Sequence, residues 1–316
     1  MDAESISNKK ISIVIPFYNE EKGIDYFYLK LTTELNLFTN YVFEVICVDD
    51  GSSDNTLQKL QFLVENDERF IILELSRNFG KEKALTAGID FASGQAVIPM
   101  DSDLQDPPDV IYQLIAKWEE GYEVVLAKRV DRNADSFMKR KTAKIFYKVH
   151  NFFSPIKIPE NVGDFRLIDR IVINALSQLK EQNRFMKGLF SWVGFRTTTI
   201  FYRRQPRKHG RSKFSGFKLW NLAIEGITSF STLPLRLWTY LGLLGAMISF
   251  VYAVVIIIKT ILFGADVAGY PSIIVSIIFL GSIQLIGIGT LGEYVGRIYL
   301  ETKNRPLYFI RKIHKK

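Results

Sequence analysis

The sequence contains very little cysteine and histidine. Its 316 residues include one cysteine, Cys47, and three histidines. A single cysteine excludes an intramolecular disulfide, and its position in an apolar run predicts a small buried side chain. Three scattered histidines argue against a zinc site. The composition therefore gives no indication of a disulfide-stabilised or zinc-dependent protein.

The sequence also lacks a secretory signal, because residues 1–10 are polar and have no apolar core. Charge is absent from two long runs, residues 237–258 and 272–292. Each run exceeds the roughly 20 helical residues that a hydrocarbon core requires. Basic residues flank the outer ends of both runs, which predicts a two-helix transmembrane hairpin (about 235–260 and 272–296) with both termini in the cytoplasm. The sequence thus predicts a multi-pass membrane protein with a cytoplasmic N-terminal domain.

The net charge is +8, and the basic residues concentrate at 128–148 and 203–218. Such a charge predicts anionic partners, namely nucleic acid, acidic lipid or phosphorylated substrates. The second concentration leads directly into hydrophobic sequence, which favours contact with membrane lipid over nucleic acid. Nucleic-acid binding remains an alternative explanation of the charge.

Apolar runs alternate with helix-forming segments in the first hundred residues. Runs at 11–15, 42–48, 70–75 and 96–99 read as buried strands, and helices are expected between them. This alternation predicts an α/β domain with a mostly parallel sheet, in which ligands bind at the carboxyl ends of the strands. Acidic turns at 49–54 and 101–106 fall on that edge.

Asp101 and Asp103 follow the fourth run. Side chains alternate along an extended chain, so the two carboxylates are expected to point the same way. Paired carboxylates repel each other unless a cation or a shared proton intervenes, and hard oxygen ligands suit Mg²⁺ or Mn²⁺ held together with substrate phosphates. A solvated turn rich in Asp and Ser is the alternative interpretation.

Basic side chains further along the chain could hold a phosphate. Arg129 follows the apolar run 124–127, and Arg140 opens a helix with an apolar stripe, whose basic face could equally be solvated. A guanidinium group binds phosphate oxygens in a bidentate fashion, so both are candidates for an acceptor phosphate, with Lys139 or Lys213 as further candidates.

Asp164 and Arg166 lie in another apolar run. They could form a buried structural ion pair or belong to the site. Asp164 could orient an arginine or a sugar hydroxyl.

Five motifs of the chain resemble those of family 2 glycosyltransferases that act on polyprenyl phosphates. They are Ile-Pro-Phe-Tyr-Asn-Glu at 15–20, Val-Asp-Asp-Gly-Ser at 48–52, Asn-Phe-Gly-Lys at 78–81, Asp-Ser-Asp-Leu-Gln-Asp-Pro at 101–107 and Gly-Asp-Phe-Arg-Leu at 163–167. The resemblance covers essentially the whole chain. It implies a GT-A fold, a UDP-glucose donor, undecaprenyl phosphate as acceptor, inversion at the anomeric carbon, a homotetramer and a place in the bacterial inner membrane. The product would serve O-antigen or other cell-envelope glycan modification.

The resemblance also implies roles for individual residues. By the matching motifs, Pro16, Tyr18, Glu20 and Asp50 are candidates for binding the uridine, and Asp101, Asp103 and Gln105 are candidates for the metal. Independently of the resemblance, Ser102 is a further candidate for donor binding, and the candidates for catalysis are Asp103, Asp164, Arg129 and Arg140. Ser102 alternates with the acidic pair and is expected to turn away from the metal.

The predicted organisation is a GT-A domain at 1–200, a basic amphipathic juxtamembrane segment at 201–234, the transmembrane hairpin at 235–300 and a basic tail at 301–316. Two alternatives stay open. The donor could carry another sugar, such as mannose, an aminosugar or aminoarabinose. The chain could instead be a non-catalytic membrane scaffold or lipid translocator, although this would not explain acidic turns at successive strand ends.

Overall fold

The computed structural model describes residues 9–130, 162–179, 181–182, 184, 186–203, scattered positions between 238 and 263, and 269–316. The chain divides into two compact units. The first comprises residues 1–152, 156–226 and 305–316, and the second comprises 153–155 and 227–304. All site residues predicted from the sequence belong to the first unit.

The first unit alternates strands and helices over its N-terminal half. Its strands are β1 (Lys9–Phe17), β2 (Tyr41–Asp49), β3 (Phe70–Leu75), β4 (Ala96–Pro99), β5 (Val124–Arg129), β6 (Val162–Asp169), β7 (Thr197–Tyr202) and β8 (Ile310–His314). Its helices are α1 (Ile24–Leu35), α2 (Thr56–Asn66), α3 (Lys81–Phe91), a 3₁₀ turn at Pro108–Val110, α4 (Ile111–Glu119), α5 (Arg170–Ser177) and α6 (Met186–Trp192).

The eight strands form one sheet in the order β7-β5-β6-β4-β1-β2-β3-β8. The central strands β4, β1, β2 and β3 are parallel to one another. Strand β6 is antiparallel to both of its neighbours, β4 and β5, and β8 is antiparallel to β3. The predicted α/β fold with a mostly parallel sheet is confirmed.

Helices cover the sheet because their apolar residues recur at helical spacing. The buried residues of α1 include Ile24, Phe27, Leu31 and Leu35. The ring of Phe27 packs edge-on against that of Phe17, with 5.3 Å between the ring centroids. Residues three and four apart share one helix face, so this spacing directs a single apolar stripe onto the strands. The central strands are buried on both faces, as nearly continuous apolar runs predict.

Strand β8 lies in a segment for which the sequence predicted a basic tail and no strand. It pairs with the edge strand β3, from Ile72 opposite His314 to Leu75 opposite Ile310. The backbone N–H of Ser76 also donates to the carbonyl of Phe309 at 2.9 Å. The C-terminal segment therefore protects an edge of the sheet that would otherwise expose unpaired backbone groups.

The second unit contains the helix α7 (Tyr270–Thr302). The indole Nε1 of Trp238 donates to Thr290 Oγ1 at 3.0 Å, and a Cβ placed at Gly287 would lie 3.5 Å from the same indole. The indole of Trp238 therefore packs against α7 beside Gly287, where a Cβ would make an ordinary van der Waals contact.

The predicted multi-pass membrane localisation is wrong. Within the part of the chain that the structure describes, no helix is long and apolar enough to cross a membrane. The prediction rested on the length of two uncharged runs and on the basic residues that flank them, and these features of the sequence do not by themselves establish a spanning helix. Ten of the 22 residues of the first run, 237–258, lie outside the described residues, and the second run lies within α7.

Candidate active site

The loops after β1 and β2 meet at the carboxyl edge of the sheet. The backbone N–H of Asn19 donates to Ser52 Oγ at 3.1 Å, and Asn19 Oδ1 accepts from the N–H of Ser53 at 2.8 Å. The N–H of Glu20 donates to Thr56 Oγ1 at 2.9 Å. These contacts bring three of the predicted donor-binding residues, Tyr18, Glu20 and Asp50, together on adjacent loops, and the fourth, Pro16, lies near the end of β1.

Asp50 connects the end of β2 to the start of α3. Its carboxylate accepts hydrogen bonds from the backbone N–H groups of Phe79, at 2.7 Å, and Gly80, at 3.0 Å. Burial raises the pKa of this carboxyl, although the two N–H donors favour its charged form. Asp50 therefore positions the loop that leads into α3, in addition to the donor-binding role predicted for it.

The chain turns immediately after β4, which ends at Pro99. Leu104 has a left-handed φ of 50°, and Asp103 Oδ1 accepts from the N–H of Gln105 at 3.1 Å. The expectation that alternation along an extended strand aligns Asp101, Ser102 and Asp103 is therefore wrong, because these residues leave the strand. Both carboxylates and Gln105 still follow the carboxyl end of β4, which pairs with β1.

Lys81 joins two of the predicted site residues. Its ammonium Nζ lies 2.6 Å from Asp101 Oδ1 and 2.7 Å from Asp164 Oδ2. Burial lowers the pKa of Lys81, but the charges of the two aspartates outweigh it and hold the pKa well above its ordinary value. Sequence reasoning included Lys81 in a motif yet assigned it no role. A signal was present, because a lysine at the first residue of a helix opposes the helix dipole.

Arg129 lies at the end of β5, against a buried acid and a buried tyrosine. Its Nε donates to Tyr202 Oη at 3.3 Å, its Nη2 lies 3.9 Å from Asp106 Oδ1, and the Tyr202 hydroxyl donates to the same carboxylate. Burial lowers the pKa of Arg129, but Asp106, Tyr202 and Asp101 keep it raised. Sequence reasoning missed Asp106 and Tyr202 as partners of this arginine.

The antiparallel strand β6 brings Asp164 to the same edge. Arg166, two residues further on, donates to the backbone carbonyls of Gly163 and Asp164 and stacks 4.2 Å above the ring of Phe190. The carboxylate of Asp164 faces Lys81. Arg140, the remaining predicted catalytic residue, and the candidates Lys139 and Lys213 lie outside the described residues.

Asp101 and Asp103 offer hard oxygen ligands, and Asp101 already attracts a cation, the Lys81 ammonium. These properties fit Mg²⁺ or Mn²⁺. Among the described residues, no three His, Cys, Asp or Glu side chains converge on one point as metal ligands. A metal at this edge would therefore take further ligands from substrate phosphates, as the sequence predicts.

A central parallel sheet with loops and carboxylates gathered at its carboxyl edge is the arrangement expected of a glycosyltransferase domain of the GT-A kind. A family model described as "Glycosyl transferase family 2" matches residues 12–177, and the chain belongs to this family. The prediction of a family 2 glycosyltransferase with a GT-A fold is confirmed.

Two curated relatives match nearly the full chain. The "SfII prophage-derived bactoprenol glucosyl transferase" of Shigella flexneri is 56% identical and covers 97% of this chain and 99% of its own length. The "Prophage bactoprenol glucosyl transferase homolog" of Escherichia coli K12 is 53% identical, with 97% and 100% covered. These relatives confirm the resemblance found in the sequence.

A solved structure with a similar fold is glucosyl-3-phosphoglycerate synthase of Mycobacterium tuberculosis, in complex with Mn²⁺, uridine-diphosphate-glucose and phosphoglyceric acid. It is 15% identical, has a TM-score of 0.47, and covers 70% of this chain and 78% of that chain.

Proposed function

We propose that this glycosyltransferase transfers glucose from UDP-glucose to undecaprenyl phosphate, with inversion at the anomeric carbon. The names of its relatives support glucose as the sugar and a polyprenyl phosphate as the acceptor. The structural observation that carries the proposal is the carboxylate of Asp101, which follows β4 next to β1 and contacts the Lys81 ammonium at 2.6 Å. The product would be undecaprenyl-phosphate glucose, for O-antigen or other cell-envelope glycan modification.

The reaction needs placement more than base catalysis. A phosphate monoester with a second pKa near 6 is largely a dianion at neutral pH, so it attacks without losing a proton to the protein. The bond that forms joins a phosphate oxygen to the anomeric carbon, and the bond that breaks joins this carbon to the β-phosphate oxygen of UDP. The electron pair of the broken bond leaves with UDP.

Asp101, Asp103 and Gln105 would hold the divalent metal, Mg²⁺ or Mn²⁺. When bound, the metal would stabilise the negative charge that develops on the departing UDP. Pro16, Tyr18 and the backbone around Asp50 would receive the uridine. The hydrogen bonds from the backbone of Phe79 and Gly80 to the Asp50 carboxylate support this placement, because they fix the loop that leads into α3 before the donor binds.

Arg129 is the described candidate for the acceptor phosphate. It lies at the end of β5, and Asp106, 3.9 Å from its Nη2, leaves the guanidinium in a loose ion pair. A phosphate oxygen could therefore replace a weak contact instead of a strong one. We assign Asp164 the role of positioning Lys81, which it contacts at 2.7 Å.

The test measures transfer of labelled glucose to undecaprenyl phosphate in detergent micelles, with Mn²⁺, Mg²⁺ or EDTA. UDP-glucose should exceed GDP-mannose and UDP-aminosugars as donor. Asp101→Asn should abolish transfer, whereas Asp109→Asn, at an exposed aspartate on the 3₁₀ turn, should leave it unchanged. Equal use of several donors would contradict glucose specificity, and full activity of Asp101→Asn in EDTA would contradict the metal site. The predicted homotetramer can be measured by sedimentation of the same preparation.

A further inference from the structure

Lys81 keeps access to solvent while it contacts both carboxylates. Its side chain is 43% exposed, whereas those of Asp101 and Asp164 are 27% and 10% exposed. Asp164 is therefore the more enclosed of the two carboxylates that Lys81 contacts.

The position of Lys81 in α3 is unfavourable for a cation. Lys81 is the first residue of the helix, directly after the N-cap Gly80. The N-terminus of a helix carries a partial positive charge, which repels an ammonium group. The two carboxylates offset this repulsion, so contact with them accounts for a lysine here better than helix formation does.

A divalent metal and the Lys81 ammonium would compete for the carboxylate of Asp101. Mg²⁺ binds carboxylate oxygens at about 2.0–2.1 Å, and Asp101 Oδ1 lies 2.6 Å from Nζ. Two cations on one carboxylate, in a partly enclosed site, repel each other strongly. Asp164 can retain the ammonium through its own contact at 2.7 Å.

We infer that Lys81 is an exchangeable internal counter-ion of the active site. It neutralises Asp101 while the metal is absent, leaves Asp101 when the metal arrives with the donor diphosphate, and stays bound to Asp164. This inference rests on the proposed function and deepens it. Its consequence is that the free metal binds weakly, because it must displace a cation, whereas the metal bound to the donor gains further ligands from the diphosphate.

The test measures Mn²⁺ binding without donor or acceptor, by the electron paramagnetic resonance signal of free Mn²⁺. Lys81→Met should bind Mn²⁺ about tenfold more tightly than the wild type, because the competing charge is gone. The matched control is Lys83→Met, which removes the same charge two residues along the same helix and should stay within about twofold of the wild type. Equal affinities for the two variants, or weaker binding by Lys81→Met, would overturn the inference.

Two further variants keep the test decisive if Lys81→Met does not fold. Lys81→Gln removes the charge but can still donate to both carboxylates, so it should fold and also bind Mn²⁺ more tightly. Lys81→Arg keeps the charge and should bind Mn²⁺ like the wild type. Thermal unfolding gives a second measurement, in which Lys81→Gln loses stability in EDTA and regains it with Mn²⁺. Because no sugar donor is present, failure of glucose transfer would leave these results intact, and unchanged Mn²⁺ affinity in an active enzyme would reject the counter-ion role alone.

Discussion

His314 and Glu74 join the C-terminal strand to the edge of the sheet, with Nε2 of the imidazole 2.9 Å from Oε2 of the carboxylate. Gln61 Nε2 lies 3.4 Å from the other ring nitrogen, Nδ1. Both side chains of the pair are largely buried, at 13% and 12% exposure. The contact therefore anchors β8 more firmly than an exposed ion pair would.

Replacing this histidine should loosen β8 without unfolding the sheet. We expect His314→Ala to cost about 1–2 kcal/mol, because the Glu74 carboxylate loses a largely buried partner. Hydrogen exchange should accelerate in β8 and β3 and stay unchanged in β1. Lys315→Ala, at an exposed neighbouring residue, is the control. Unchanged exchange in β3 would contradict the anchoring role.

Asp49, at the end of β2, should destabilise the protein at neutral pH. Burial raises its pKa, and nearby Glu74 adds to the shift. Among the described residues its Oδ1 has no hydrogen-bond partner. A carboxyl whose pKa is raised by folding binds protons more tightly in the folded state, so stability increases as the pH falls through that raised pKa. We expect Asp49→Asn to be more stable at pH 7.5 by on the order of 1 kcal/mol.

The same comparison at lower pH provides the check for Asp49. The stability difference between Asp49→Asn and the wild type should narrow as the pH falls toward about 4, near the unfolded pKa of aspartate. Urea unfolding at each pH measures it. A difference that stays constant with pH would mean that the substitution acts through packing and not through charge.

Glu44, on the same strand, should behave in the opposite way. Burial raises its pKa, but hydrogen bonds from Lys10, Ser12 and Ser93 outweigh this and lower it. Its carboxylate lies 2.6 Å from Lys10 Nζ and accepts from the backbone N–H of Ser93 at 2.6 Å. A lowered pKa contributes stability above the unfolded pKa, and this stability is lost as the pH falls through the folded pKa.

We therefore expect Glu44→Gln to cost about 2 kcal/mol at pH 7, where the wild-type carboxylate is charged and fully hydrogen-bonded. The cost should shrink below about pH 4. Urea unfolding at both pH values measures it. A cost that grows with acidity would contradict the direction of the shift.

Alanine substitutions at Gly51 and Gly80 should distinguish the cost of steric crowding from the cost of backbone strain. Both have positive φ, 65° and 96°. A Cβ at Gly51 would lie 2.6 Å from the backbone of Arg77 and Asn78, whereas nothing lies within 4 Å at Gly80 among the described residues. Gly51→Ala should cost about 1–3 kcal/mol more than Gly80→Ala, because the two loops must separate. Equal losses of thermal stability would indicate that strain alone decides.

Replacing Arg129 should weaken binding of the acceptor and leave binding of the donor unchanged. We expect Arg129→Ala to raise the KM for undecaprenyl phosphate about tenfold, as loss of a charged hydrogen bond predicts, while UDP-glucose binding stays nearly unchanged. Arg129→Lys should restore part of the loss, since a point charge cannot reproduce a bidentate fork. Arg196→Ala is the control, because this arginine stacks on Tyr122 before β7 begins. A weakened donor with an unchanged acceptor would assign Arg129 to the diphosphate.

The local elements could be predicted because short-range patterns determine them. The bounds expected for β3, residues 70–75, coincide with those of the structure, and a helix, α3, lies between β3 and β4 as expected. An apolar run bounded by polar turns identifies a buried strand. The same patterns place the acidic turns at one edge of a parallel sheet.

The long-range pairings could not be predicted in this way. The direction of β6, and hence the meeting of Asp164 with Lys81, depends on strands far apart in sequence. The turn after Pro99 was missed because alternation was assumed to continue beyond the strand, whereas Leu104 adopts a left-handed φ. Hydrogen bonds such as that from Tyr202 to Asp106 carry no sequence pattern.

The pairing of β3 with β8 also has a consequence during synthesis on the ribosome. Glu74 and His314 are 240 residues apart in the chain. At a translation rate of about 5–20 residues per second, β3 therefore waits roughly 10–50 s before its partner strand emerges. During this time its edge is open to pairing with another nascent chain, and the charge of Glu74 is the feature of β3 that opposes such pairing. Slowing translation after β3 should increase aggregation of the nascent protein.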